Sequence, residues 1–125
     1  MGKLVEVSES NSNIRNGNEV RAVLLFSNGN VVPLSRFPMI IGRTDFIDSI
    51  PSDILHYVSR QHFCLRYENG QHAIQDLNST NGTKINGVEI KGKERWPLKN
   101  GDRIEIAEVM ALTFCLNMNN SLLTT

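Results

Sequence analysis

The chain has 125 residues, of which 40% are apolar and 21% charged, and its thirteen basic residues balance thirteen acidic ones. That length fits one domain with a core large enough to need no metal or disulfide staple, and zero net charge sets aside a general nucleic-acid binder, which carries a basic excess. No apolar run nears the ~20 residues of a membrane-spanning helix, the first residues lack a signal-peptide core, and Cys64 and Cys115 are too few for a disulfide framework or a metal knuckle. The expectation is a cytoplasmic protein with two reduced thiols on strands, no membrane contact and no cofactor.

In chain order, residues 1–20 read as a polar tail, with a short edge strand conceivable at 4–7. Composition then shifts, and runs rich in Val, Ile, Leu and Phe follow at 21–26, 31–34, 39–42, 63–67, 73–76, 83–85, 88–90, 103–106 and 111–116, with a further short one around 94–96. Phe63, Leu65 and Tyr67 alternate with Cys64 and Arg66, and Leu112, Phe114 and Leu116 repeat the pattern, as strands with one buried face do. Asn-Gly occurs six times along the chain. Both residues tolerate positive φ, so the pair suits tight turns that match strand twist. Only residues 47–57 offer a helical candidate, and Pro51 interrupts it. Many short strands with frequent turns predict an all-β sandwich or barrel. Residues 44–58 form the longest connection inside the body, and connections of that length are usually functional. From Asn117 onward the chain turns polar again, and the folded domain is expected over 21–117 with a second tail at 118–125.

Four polar motifs punctuate the strands. Gly42-Arg43 follows a buried run, so Arg43 emerges where a rigid strand meets a loop. Its guanidinium is always charged and presents a fork of donors suited to a phosphate dianion. Ser59-Arg60-Gln61-His62 precedes the next strand and offers a hydroxyl, backbone amides and a second cation; His62 suits a structural hydrogen-bonding role. In the run 76–83, Thr80 offers a hydroxyl, Asn81 an amide that both donates and accepts, and Gly82 a sharp reversal. Asn86-Gly87 suits a hairpin. Judged singly, each motif fits an ordinary polar loop; together they form the inventory needed to hold a phosphate monoester on loops at one end of a β scaffold.

The order and spacing of these motifs, with the closing Leu98-Lys99-Asn100-Gly101-Asp102, resemble the forkhead-associated (FHA) domain over roughly residues 21–117. The resemblance implies a two-sheet β-sandwich of about eleven mostly antiparallel strands that binds phosphothreonine peptides and is not an enzyme. Carried over by position, it implies that Arg43 and Ser59 contact phosphate, Arg60 phosphate or ligand backbone, Thr80 phosphate or peptide, and Asn81 ligand main chain. Gly42, His62 and Asn86 would hold the loops, and Gly82 would form the binding loop. His56, Tyr57, Asn78 and Ser79 would neighbour the pocket that sets specificity. The implied partner is a phosphothreonine protein made by a Ser/Thr kinase, bound by a monomer acting as a signalling adaptor. Two alternatives stand beside this: a phosphorylation-independent interaction or self-association module on the same fold, and, more distantly, a serine hydrolase built on Ser59, His62 and Asp76, which lacks a Gly-x-Ser-x-Gly elbow.

Overall fold

A computed structural model describes residues 20–118, with side chains described for 21–116. Ten strands follow one another: β1 Val20–Phe26, β2 Val31–Leu34, β3 Met39–Ile41, β4 Phe63–Glu68, β5 Gln71–Asp76, β6 Thr83–Ile85, β7 Val88–Glu89, β8 Trp96–Leu98, β9 Arg103–Ile106 and β10 Met110–Met118. They form a six-stranded sheet in the order β2-β1-β10-β9-β6-β7 and a four-stranded sheet in the order β3-β4-β5-β8. Every pairing is antiparallel. The all-β two-sheet expectation holds, at ten strands among the described residues rather than about eleven. The strand expected at 4–7 lies outside the described residues, as do 1–19 and 119–125 of the two expected tails.

The alternation that predicted strands also builds the core. Leu24, Phe26, Ile104, Ile106, Leu112 and Phe114 from one sheet meet Ile41, Phe63, Leu65, Ile74 and Leu98 from the other, all nearly or fully buried. Burying a Leu, Ile or Phe side chain is worth about 1.5–3 kcal/mol each, so this stripe dominates the stability of the sandwich. The strand expected around 94–96 sits two residues later, at β8. Pro97 lies within it, and Pro33 lies within β2; both strands are sheet edges, where a missing N–H breaks no central ladder. Cys64 and Cys115 are free thiols on β4 and β10.

The long connection is ordered rather than open. A 3-10 turn occupies Arg43–Phe46, and one short helix, α1, occupies Ser52–Leu55 directly after Pro51. Pro51 stands just outside the helix as its N-cap, where its missing N–H costs nothing and its carbonyl accepts the Ile54 and Leu55 N–H groups. Two residues pin this connection to the core. Phe46 is fully buried with its ring centroid 5.9 Å from that of Phe26, and Val58 is fully buried just before Ser59.

Candidate functional site

Strand registry brings the motifs together. Ile41, the end of β3, pairs with Phe63, the start of β4, and Phe63 pairs with Asp76, the end of β5. Loops 42–62 and 77–82 therefore leave the sandwich at one end. The other sheet adds the turn at 107–109 to the same end, since Ala107 N–H donates to the Gly82 carbonyl at 3.0 Å.

Gly42 marks the closest approach between the first two loops. A Cβ at this position would lie 1.8 Å from the Arg60 carbonyl oxygen, a distance no side chain survives, so only glycine fits. Next door, Arg43 N–H donates to the Ser59 carbonyl at 3.0 Å. Its guanidinium lies along the same segment, with Nε donating to the Val58 carbonyl at 2.8 Å and Nη2 to the His56 carbonyl at 3.4 Å. Arg43 makes no ion pair among the described residues; neighbouring Asp45 instead accepts the Gly42 N–H at 2.8 Å. The cation is thus aimed by neutral carbonyls, with its charge uncompensated, beside Ser59.

His62 fastens Ser59 from beneath. It is fully buried. Its Nδ1 accepts the Ser59 N–H at 3.0 Å, and Nε2 lies 2.8 Å from the Gly82 carbonyl. An imidazole that accepts at Nδ1 and donates at Nε2 is the neutral ring in one tautomer. Burial pushes its pKa below the ordinary value, against the raising pull of the Gly82 carbonyl and of Asp76 and Glu89, with Lys91 adding a smaller lowering. One neutral side chain therefore sets the distance between the serine loop and the 77–82 loop.

That second loop is organised around Asp76, itself buried. Its carboxylate accepts the Ser79 N–H at 2.8 Å, the Ser79 hydroxyl at 2.6 Å and the Thr83 hydroxyl at 2.6 Å. Three donors compensate a buried charge that would otherwise be costly. The Ser79 hydroxyl in turn accepts the Gly82 N–H at 3.0 Å. The loop tip then closes onto the serine loop. Thr80 N–H donates to Ser59 Oγ at 3.0 Å, and Asn81 Nδ2 donates to the Tyr57 carbonyl at 2.9 Å.

Arg43, Ser59, Thr80 and Asn81 are thus joined directly or through residues 56–59, and Arg60, exposed, follows Ser59. His56 and Tyr57 stand exposed at the rim with ring centroids 4.3 Å apart. Asn78 is exposed at φ +57. Two residues differ from their expected places. Ser79, expected beside the specificity pocket, has no exposed surface and its hydroxyl is engaged by Asp76 and Gly82, so it braces the loop from inside. Asn86, expected to hold the binding loops, lies at the other end of β6. Its side chain donates to Asp102 and accepts the Arg103 N–H, both at 2.9 Å, which clamps the β6–β7 turn to β9.

A hydrolase triad is not assembled. Both His62 nitrogens are occupied by backbone groups, and Asp76 faces Ser79 and Thr83. Ser59 Oγ therefore has no base to accept its proton. No sequence signal singles out Val58, Phe46, Glu89 or Lys91. Asp76 followed three residues later by Ser79 does carry a legible signal, the Asx-type turn in which a carboxylate accepts a nearby backbone amide.

Similarity to known proteins matches this geometry. The sequence fits the family model of the FHA domain over residues 39–107. It is 35% identical over 78 residues to protein FraH of Nostoc sp. (strain PCC 7120), a match covering 57% of this chain and 27% of that protein, so the chain spans about a quarter of the curated relative it matches. Among solved structures, one from a structural and functional analysis of phosphothreonine-dependent FHA domain interactions is 26% identical, with a TM-score of 0.59 over 76% of this chain and 95% of that one. Mycobacterium tuberculosis EmbR, solved in complex with a low-affinity phosphopeptide, is 27% identical with a TM-score of 0.66, covering 82% of this chain and 26% of that one. With the family-model match running from β3 to the end of β9, through the 42–62 and 77–82 loops, the chain belongs to the FHA-domain family.

Proposed function

We propose that this chain binds phosphothreonine-containing protein segments, the products of a Ser/Thr kinase, and serves as an intracellular signalling adaptor. Arg43, Ser59 and Arg60 receive the phosphate, Thr80 adds a phosphate or peptide contact, and Asn81 holds the ligand main chain. The observation that supports this most is the Thr80 N–H to Ser59 Oγ bond at 3.0 Å, which joins the two hydroxyl-bearing loops next to an arginine without a counter-ion. A phosphothreonine brings about −1.5 to −2 charges and three strong acceptors, and the held Arg43 guanidinium, the exposed Arg60 and the loop donors answer that demand. One chain supplies all five residues, so a monomer suffices.

Calorimetric titration of one phosphothreonine peptide and its unphosphorylated counterpart tests the reading. Binding is expected only with the phosphate present. Arg43→Ala is expected to cost on the order of 2–4 kcal/mol of that binding, about thirtyfold to nearly a thousandfold in Kd. Its loss of two carbonyl contacts lowers stability by about 1–3 kcal/mol. Equal affinity for both peptides would overturn the proposal and favour a phosphorylation-independent or self-associating module.

A further inference from the structure

Of the six Asn-Gly pairs in this chain, five lie within the described residues. Such a pair carries a reaction of its own: the glycine nitrogen, shielded by no Cβ, can attack the asparagine carboxamide. In four of the five, hydrogen bonds hold the groups that would react. Asn28 Oδ1 accepts the Asn30 N–H at 2.9 Å, and the Gly29 N–H donates to the Phe26 carbonyl at 3.0 Å. Asn81 Nδ2 donates to the Tyr57 carbonyl, and the Gly82 N–H to the Ser79 hydroxyl. Asn86 is held at both ends of its carboxamide, by Asp102 and by the Arg103 N–H. Asn100 Oδ1 accepts the Leu116 N–H at 2.6 Å, and the Gly101 N–H donates to the Phe114 carbonyl at 2.7 Å. The fifth, Asn69-Gly70, differs. The Asn69 side chain makes no hydrogen bond among the described residues, unlike the other four asparagines, and residues 67–71 are all exposed. Asn86-Gly87 is its closest counterpart. Each pair forms a two-residue hairpin turn, with φ of +55 and +77 at Asn69-Gly70 and +51 and +87 at Asn86-Gly87. A Cβ at either glycine would meet nothing within 4 Å. Backbone shape and space are alike, so the carboxamide clamp is what separates the two turns.

We infer that Asn69 is a site of spontaneous deamidation, and that the fold steers this modification to it and away from Asn28, Asn81, Asn86 and Asn100. The Gly70 nitrogen bonds to Asn69 Cγ as the Cγ–Nδ2 bond breaks, and its proton leaves with the departing ammonia. The product is a five-membered succinimide, which water opens at either carbonyl to give aspartate or isoaspartate. Water is the only co-reactant, and nothing is oxidised or reduced. At each guarded pair two hydrogen bonds must break before the ring can close; at Asn69 none stands in the way. The reaction adds negative charge to a chain of zero net charge. It does so beyond the Glu68–Gln71 pairing, at the end of β4 and β5 opposite the Phe63–Asp76 pairing. The inference stands apart from the phosphothreonine reading, but it bears on it: Asn81, in the candidate site, keeps its carboxamide while the far hairpin ages.

The test holds the folded protein at physiological temperature and mildly alkaline pH, samples it over time and digests it with trypsin. Residues 67–83 contain no Lys or Arg, so Asn69 and Asn81 arrive on one peptide, and its fragmentation in a mass spectrometer assigns each conversion of amide to acid. Conversion at Asn69 is expected to run about five- to a hundredfold faster than at Asn28, Asn81, Asn86 or Asn100, the ratio that two hydrogen bonds set. The same chain kept in denaturant should lose that spread. Asp102→Ala, which frees Asn86 Nδ2, should speed conversion at Asn86 about two- to tenfold and leave Asn28 and Asn81 as they were. Equal rates at Asn69 and Asn86 in the folded protein, a faster rate at any guarded pair, or no conversion at Asn69 while the denatured chain converts overturns the inference. A spread that persists in denaturant, or an Asn86 rate that Asp102→Ala leaves unchanged, overturns the fold as its cause.

Discussion

The two ends of the sandwich are built from the same residues and behave differently. Both are rich in Asn, Gly and Ser. At the end carrying Asn69-Gly70 and Asn86-Gly87, both members of each pair have positive φ, the backbone of tight hairpins whose geometry is settled within a few residues. At the other end, Gly42, Ser59, His62, Asp76 and Asn81 are tied across gaps of up to 24 residues. At the second end, an arginine held only by neutral carbonyls stands beside the serine and threonine hydroxyls of two joined loops. Local turn chemistry shapes the first end, with Asn86 clamped to β9; a denser set of long-range side-chain bonds shapes the second.

The comparison predicts unequal responses to substitution. Gly42→Ala should have the largest effect, because its methyl would displace the Arg60 carbonyl at the join of two loops. A loss of roughly 3 kcal/mol or more is expected, read as a lowered denaturation midpoint together with lost peptide binding. A wild-type-like alanine variant would mean that the loops tolerate separation.

His62→Gln should come next, costing about 1–3 kcal/mol through an unsatisfied buried backbone group and weakening peptide binding by releasing Ser59. It also carries a pH signature. The folded pKa lies below the model-compound value of 6.5, so the unfolded chain takes up the proton first. The stabilising contribution is complete above pH 6.5 and is lost as pH falls from there toward the lowered folded value. Burial lowers His72 as well, in the same direction. Thermal melts across that window should therefore show stability falling with acidity, with a shallower slope in His62→Gln; an unchanged slope would remove His62 from the effect.

Asn86→Ala should have the smallest effect. It removes two hydrogen bonds to Asp102 and Arg103 and places alanine at φ +51, for about 1–2 kcal/mol of stability. Peptide affinity should not change. A variant that melts near wild type but binds poorly would show that the two ends are coupled.

Much of the molecule was legible before folding. Strands at 31–34, 83–85 and 103–106 have the bounds read from short apolar runs between turn pairs, since turn residues punctuate strands locally. Element ends were less certain: β8 begins two residues later than expected, because Trp96, Pro97 and Leu98 make a run too short to show alternation. For the candidate site, the types and order of Arg43, Ser59, Thr80 and Asn81 were visible. The burial of Ser79 was not, because a serine in a polar run looks the same whether it faces water or a carboxylate.

Over the described residues, the sequence by itself determined the strand count to within one, the turn positions and the chemical inventory of the loops, because apolar runs and turn preference are properties of neighbouring residues. Tertiary structure decided which polar residues look inward and which look out. Ser79 and Asp76 went to bracing, Asn86 to the far end, and Arg43 and Thr80 to a common rim. Those outcomes depend on the registry of β3, β4 and β5 and on one neutral histidine joining two loops, and sequence-distant pairings of that kind leave no trace in any short window of the chain.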